Sequence, residues 1–334
     1  MQNKITISVD AMGGDNAPNE IVKGCIESIN DDSNIKIYLV GNNIIINEQL
    51  EKYTYNKEQL EVVDAREIIE PCESPVMAIR RKKNSSLVKG LELVKEKKAD
   101  AFVSAGSTGA ILAGGTFIVG RIKGIERPAL APLIPNKKGV SLLIDCGANV
   151  DSKASYLVQY AKMGSIYFEN VLGIKNPKVA LVNIGEEESK GNLLVRETYP
   201  LLQKENINFI GNIEAREIPQ GKADILVCDA FVGNIILKYT EGFALTMFDM
   251  LKKALLQDTR SKIGTLLLKP ALKKFKKGFD YTEYGGAPLL GLEGLVVKTH
   301  GSSDAKAVKN TILQCKKFAN QQINQKIKQN INMI

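Results

Sequence analysis

The chain has 334 residues, of which 44% are hydrophobic, and a formal net charge of +8, which suits one large α/β domain or two closely joined lobes with an anionic partner. The absence of tryptophan, the 6% aromatic content and the lack of lysines interleaved with stacking aromatics exclude a nucleic-acid module. No stretch reaches the length of a membrane span, and five cysteines without a C-x-x-C spacing offer neither a zinc site nor a disulfide framework, so no metal is expected.

The chain opens on Lys4-Ile-Thr-Ile-Ser-Val9 with no signal-like segment before it, which predicts a cytosolic protein. Strand-like runs follow at 4–10, 35–41, 60–64, 100–104, 141–145, 178–183, 207–211 and 224–228, with helical periodicity at 18–30, 74–98, 107–120, 153–172, 193–204 and 231–255. This alternation predicts an α/β fold, a mostly parallel sheet with helices on both faces. The run 129–134, bracketed by prolines, pairs with 140–145 across Asn136-Lys-Lys-Gly139 as a hairpin or edge addition. No repeat or linker divides the chain, so residues 1–334 read as a single domain. The stretch from Gln321 to Asn332, rich in Gln, Asn and Lys, is expected to fray.

Six glycine-rich polar runs sit where strand-like segments end: Asp10-Ala-Met-Gly-Gly-Asp15, Ser104-Ala-Gly-Ser-Thr-Gly-Ala110, Asp145-Cys-Gly-Ala-Asn149, Asn183 to Gly191, Asp229-Ala-Phe-Val-Gly-Asn234 and His300-Gly-Ser-Ser-Asp-Ala305. Ligands of open α/β sheets bind at the carboxyl ends of strands, and glycine lets backbone N–H groups approach an anion. The pattern predicts a small anionic ligand. No G-x-G-x-x-G follows the first strand, which argues against a nicotinamide cofactor.

Within these loops, Lys190 is a compact cation beside glycines, suited to an anion or a developing oxyanion, or else an exposed lysine paired with Glu186, Glu187 or Glu188. His300, the only histidine, precedes Gly301-Ser302-Ser303 and a helical run from Ala305, where an anion would sit and Lys306 lies in the first turn; the alternative is helix capping by Ser302 or Ser303. Asp10, Asp145 and Asp229 are expected mainly to organise loops, while Asn149, Asn183 and Asn234 are neutral donors for a phosphate or oxyanion. Cys146 has no histidine near it in sequence, so direct attack by a bound nucleophile is simpler than a covalent intermediate.

The helix at 231–255 carries two apolar stripes, as expected of a core helix or one shared with a second subunit. After it, Leu268, Leu272, Phe275 and Phe279 fall on one arc, with lysines filling the rest and Pro270 in the first turn of a new helix. Two readings stand: a helix on an anionic membrane surface, or an ordinary solvated helix.

These motifs, with Glu283-Tyr-Gly-Gly-Ala-Pro-Leu-Leu-Gly291, resemble in order and spacing the bacterial phosphate acyltransferase (PlsX) family of phospholipid synthesis across nearly the whole chain. The resemblance implies transfer of a fatty acyl group from acyl-[acyl-carrier protein] to inorganic phosphate, giving acyl phosphate for a membrane glycerol-3-phosphate acyltransferase. It implies a fold similar to the isocitrate dehydrogenase and phosphotransacetylase group. A homodimer, peripheral membrane association and a helical dimerisation and membrane-contact element at about 231–280 are also implied, with no cofactor. It carries a substrate site onto Asp10, Gly13, Gly14, Asp15, Ser104, Gly106, Thr108, Gly109, Asp145, Gly147, Asn149, Asn183, Gly185, Glu186, Gly191, Asp229, Gly233, Lys238, Gly301, Ser302 and Ser303. Lys190, Asn234 and His300 are the catalytic candidates. Arg80, Arg81, Lys82 and Lys83 are a candidate carrier-protein patch, or a solvated helix end. Rival readings are a short-chain phosphotransacetylase using acetyl-CoA and a non-catalytic membrane scaffold.

Overall fold

The computed structural model describes residues 4–279 and 285–331, with side chains to residue 275 and from 285. A seven-stranded sheet has the order β3-β2-β1-β4-β12-β11-β5, and a five-stranded sheet the order β6-β7-β10-β8-β9. In the first, β1 (Ile5–Asp10), β2 (Ile35–Gly41), β3 (Leu60–Asp64), β4 (Ala101–Ser104) and β12 (Leu295–Lys298) run parallel, and β11 (Ala287–Leu290) lies antiparallel between β12 and β5 (Ala129–Leu130). In the second, β7 (Gly139–Ile144), β10 (Ile225–Val227), β8 (Lys178–Asn183) and β9 (Asn208–Glu214) are parallel, with β6 (Leu133–Asn136) antiparallel at one edge. The α/β class and the mostly parallel order expected from the sequence hold, with two sheets in place of one.

Strands such as β4 and β10 are buried along their whole length, as required of parallel strands covered on both faces. Both core clusters draw on both sheets: Val103 and Val297 share one with Leu142 and Ile225, and Phe102 and Val296 share the other with Leu143 and Leu226. The expected hairpin forms between β6 and β7, but its first residues peel away as β5 and join the other sheet. The prolines 128, 132 and 135 mark this crossing, because proline removes ladder donors and interrupts continuous pairing.

The helical stretch expected at 74–98 is two helices, α3 (Pro75–Arg81) and α4 (Ser86–Lys95). Ser85 caps α4 by accepting from Val88 N–H at 3.4 Å, so a new helix starts there. The one expected at 107–120 is α5 (Thr108–Gly114) followed by a π-helical turn, and α6 (Ala154–Tyr167) ends the same way. A short helix, α2 (Asn43–Leu50), and the strands β11 and β12 were not foreseen. The region expected to fray instead forms α11 (Ile323–Asn330), where Ile323, Ile327 and Ile331 are buried one turn apart. Burial of each such side chain contributes about 1.5–3 kcal/mol, which outweighs the polar composition around them.

After β8 comes α7 (Leu193–Leu202), and after β10 comes α8 (Ala230–Leu255), a 26-residue helix that buries only Ala230 and Gly233. Its partner α9 (Thr259–Phe279) begins earlier than expected and carries Pro270 inside it, not in a first turn. The bond lost at Pro270 falls beside the exposed Leu266 and Leu267. The pair touch through Phe248 and Phe275, ring centroids 6.0 Å apart. Of the proposed membrane residues, Leu268 and Phe275 are exposed and Leu272 is half-buried; the Phe279 side chain lies outside the described residues.

The root of α8 is where backbone contact is closest. A Cβ at Gly233 would sit 1.9 Å from the Asp145 carbonyl oxygen, so the helix enters the fold only through a glycine. Gly233→Ala is expected to lose about 1–3 kcal/mol or more through overpacking, read as a lower urea midpoint; an unchanged midpoint would mean that α8 is free to shift.

Candidate active site

A cleft of about 630 Å³ lies at the carboxyl ends of strands from both sheets. Its walls are the loops after β1 (Met12 to Asp15), β3 (Ile68 to Pro71), β4 (Ala105 to Thr108), β7 (Cys146) and β12 (Thr299 to Gly301), with Asn234, Leu237, Lys238 and Glu241 of α8. Lys298, at the end of β12, Gly285 to Ala287 and the β5–β6 residues Leu130, Pro132 and Leu133 complete it.

One buried carboxylate locks the loops after β1 and β4 together, and the β1 loop in turn holds the loop after β12. Asp10 accepts from Ser104 Oγ at 2.7 Å and from Met12 N–H at 3.1 Å, and Ser104 Oγ in turn accepts from Gly106 N–H at 3.0 Å. Burial raises the Asp10 pKa, and these hydrogen bonds oppose that rise. A Cβ at Gly13 would lie 2.5 Å from Asp10 Oδ2, and one at Gly14 would lie 2.9 Å from the Gly301 carbonyl oxygen. Gly14 also has φ +99°, the left-handed region glycine favours. Asp15 N–H donates to that Gly301 carbonyl at 2.8 Å, and Asn16 Nδ2 donates to the Ser302 and Ser303 carbonyls.

Asp145 organises its own loop. It accepts from Leu130 and Ala148 N–H and from both the N–H and Nδ2 of Asn149, whose Nδ2 also donates to the Pro128 carbonyl. Burial pushes its pKa up to about 6. Asp229 caps α8 by accepting from Val232 N–H at 2.9 Å. All three aspartates serve the loops or a helix cap, the role expected of most of them, and Asn149 is spent in the same way, so none of the four lines the cleft where the resemblance placed it. Cys146 lines the cleft, but its thiol is buried against the Leu143 carbonyl and burial raises its pKa, so it is no ready nucleophile.

The polar part of the cleft sets two lysines, Lys238 and Lys298, among the carboxylates of Asp15 and Glu241. Asn234, Lys238 and Glu241 follow one another along one face of α8, and Lys238 Nζ sits 2.8 Å from Glu241 and 3.3 Å from His300 Nε2. His300 Nδ1 lies 2.8 Å from Ser302 Oγ. Burial and the Lys238 charge lower the His300 pKa, favouring a neutral ring. Ser302 N–H also donates to Nδ1 at 3.2 Å, so both ring nitrogens face N–H donors.

Lys298 was missed in the sequence, where it closes an apolar run. Its ammonium donates to the carbonyls of Ala105 and Thr299, and burial together with Lys238 lowers its pKa to about 8. The one legible signal was its place just before the His300 loop. Ile68, Ile69, Pro71, Leu130, Pro132 and Leu133 give the cleft an apolar lining, interrupted by Glu70.

Thus the cleft gathers Gly13, Gly14, Asp15, Gly106, Thr108, Asn234, Lys238, His300 and Gly301. Gly109 packs on Pro75, Gly147 and Gly233 belong to the Asp145 turn and the root of α8, and Ser104 and Ser303 are buried in hydrogen bonds, Ser303 with Thr299 Oγ1. Asn183, Gly185, Glu186, Lys190 and Gly191 are not brought in. They follow β8, which lies beyond β10 in its sheet and opens farther along the edge. Asn183 Nδ2 holds that loop by donating to the Lys190 carbonyl at 3.2 Å, Glu186 lies 3.5 Å from Lys222, and the Lys190 side chain is exposed. The expected anion site at the start of α10 (Ala305–Asn320) is also filled: Asp304 caps it, and Glu20 accepts from Ala305 N–H at 2.7 Å. Capping thus falls to Asp304, not to Ser302 or Ser303, and Lys306 stands outside the cleft lining.

A family model described as "Fatty acid synthesis protein" matches residues 5–326. A phosphate acyltransferase of Clostridium novyi is 56% identical over 325 residues, covering 97% of this chain and 98% of the relative. One from Clostridium acetobutylicum is 55% identical over 321 residues, covering 96% and 97%. Among solved structures, phosphotransacetylases from Staphylococcus aureus (TM-score 0.62, 18% identity, 95% of this chain and 94% of that one) and Streptococcus pyogenes (0.63, 17%, 94% of each) share the fold. The chain belongs to the fatty acid synthesis protein family, together with these clostridial phosphate acyltransferases.

Proposed function

We propose that the protein transfers a fatty acyl group from acyl-[acyl-carrier protein] to inorganic phosphate, yielding an acyl phosphate for phospholipid synthesis. The observation that carries this reading is a single cleft that holds two lysines, Lys238 and Lys298, together with apolar side chains from Ile68 to Leu133. The name of the clostridial relatives, phosphate acyltransferase, gives the same acceptor.

In the proposed step, phosphate lies against Lys238, Lys298 and the glycine loops, with the acyl chain along the apolar wall. A phosphate oxygen adds to the thioester carbonyl, and the Asn234 amide donates to the oxyanion that forms. The C–S bond then breaks, and the departing sulfur takes up the proton that the hydrogenphosphate carried. Neutral His300 is placed to relay that proton. Lys298 and Lys238 thereby take the cationic role that the sequence assigned to Lys190.

Phosphate-dependent release of thiol from a long-chain acyl-[acyl-carrier protein], with the product trapped by hydroxylamine as the hydroxamate, is the expected result. Turnover with acetyl-CoA alone would point to a short-chain enzyme, and none with either donor to a scaffold. Lys298→Met is expected to raise the phosphate KM about 10- to 100-fold, the worth of a hydrogen bond to a charged group, while Lys190→Ala stays near wild type. The reverse order would return Lys190 to the site. Because the Lys298 ammonium is lost as pH rises through about 8, phosphate affinity falls there. Because His300 must be neutral, turnover falls as pH drops through its depressed pKa, below the usual 6.5.

The same reading extends to assembly in the cytoplasm, as a homodimer resting on an anionic membrane surface. Tyr239 and Phe243, stacked at 5.8 Å and 70% and 54% exposed, head an apolar face of α8 suited to a second copy. Light scattering of Tyr239→Asp/Phe243→Asp is expected to give monomers from a dimeric wild type. Leu268→Glu/Phe275→Glu is expected to lose sedimentation with phosphatidylglycerol vesicles. Retained association in either experiment removes the corresponding contact.

A further inference from the structure

The basic run Arg80-Arg81-Lys82-Lys83 has no part in the cleft chemistry, yet the fold sets it at the cleft's rim. Lys82 is the inward member: its ammonium is paired with Glu73 and donates to the Ile68 carbonyl at 2.6 Å, tying the end of α3 to the apolar wall. The other three are exposed, without an ion-pair partner among the described residues. The opposite end of α3 is pinned to the cleft as well. Pro75 packs on Gly109 of α5, where a Cβ would come within 2.7 Å of Pro75 Cγ, and the start of α5 lines the cleft through Thr108.

Between these two anchors α3 buries Ala78 and Ile79 and turns its other face outward. That face carries Val76 and Met77, 37% and 41% exposed, each followed one turn later by an arginine, Arg80 and Arg81. Helical spacing of four puts each apolar side chain beside a guanidinium.

We propose that the outer face of α3 is the docking surface for the acidic carrier protein that presents the acyl thioester; this rests on the function proposed above. A thioester on a tethered arm reaches the reaction centre only if its carrier sits at the cleft mouth, and α3 continues directly from the wall segment Ile68 to Pro71. Guanidinium forks pair with carboxylates in bidentate geometry, and Met77 supplies an adaptable apolar anchor between them. Two partly exposed apolar residues make too small a footprint for a membrane, which favours a protein partner. Rim charges of this kind act on encounter and are screened by salt.

The test compares two donors of the same acyl group, acyl-[acyl-carrier protein] and acyl-pantetheine, which lacks the protein. Arg80→Glu/Arg81→Glu is expected to raise the KM for the carrier-bound donor about tenfold, leaving kcat, the phosphate KM and turnover of acyl-pantetheine at wild-type values. Met77→Glu alone gives a smaller shift in the same direction, and rising salt raises the wild-type KM toward that of the arginine variant. An unchanged carrier KM in an active variant overturns the docking surface alone. Equal losses with both donors overturn it too, since α3 then merely supports the cleft, as does loss of vesicle binding with an unchanged carrier KM. Wild-type protein that releases no thiol from either donor overturns the function as well.

Discussion

The carboxylate of Asp10, buried between the loops after β1 and β4, is the contact on which the site depends. It draws Ser104 toward β1, and Ser104 in turn holds the Gly106 amide. Glycine is required at 13 because the backbone passes within a side chain's radius of that carboxylate, and at 14 because the Gly301 carbonyl closes on it. The loops after β1, β4 and β12 thus form one rigid piece. A preorganised arrangement of this kind can hold charged groups in place without reorganising during a reaction.

Cations are then set against this acidic base. Lys298 is half-buried at a cost that lowers its pKa, and Asp15 and Asp10 partly offset that cost by favouring the charged form. Lys238 pushes the Lys298 and His300 pKa values in the same direction, and Glu241 answers it across one turn of α8. An entering dianion would relieve repulsion between the two lysines, against the opposing charge of Asp15 and Glu241. The apolar wall meets this polar end because β5 leaves the hairpin to join the larger sheet, which carries Leu130 and Pro132 to the cleft.

Much of the site was legible as residues and little of it as geometry. The loops at 10–15, 104–109 and 300–303 announced themselves by glycine after an apolar strand, and the three aspartates took the structural role expected of strand-end carboxylates. The loop at 183–191 has the same signature, but β8 stands one strand too far along the sheet. Lys298 had only its place before the His300 loop as a signal, since a lysine ending an apolar run looks like any strand terminus. The tail helix α11 was misread because three isoleucines at a spacing of four were outweighed by the glutamines and asparagines around them.

The sequence by itself determined the alternation of strands and helices, the glycine loops at strand ends and the apolar faces of α8, because these depend on local periodicity and backbone freedom. Only the tertiary structure decided that the strands divide into two sheets, which loops face one another, and which lysines enter the cleft. Strand order and burial depend on pairings between residues far apart in the chain, and no local pattern encodes the desolvation that sets Lys298 and His300 apart from other cations.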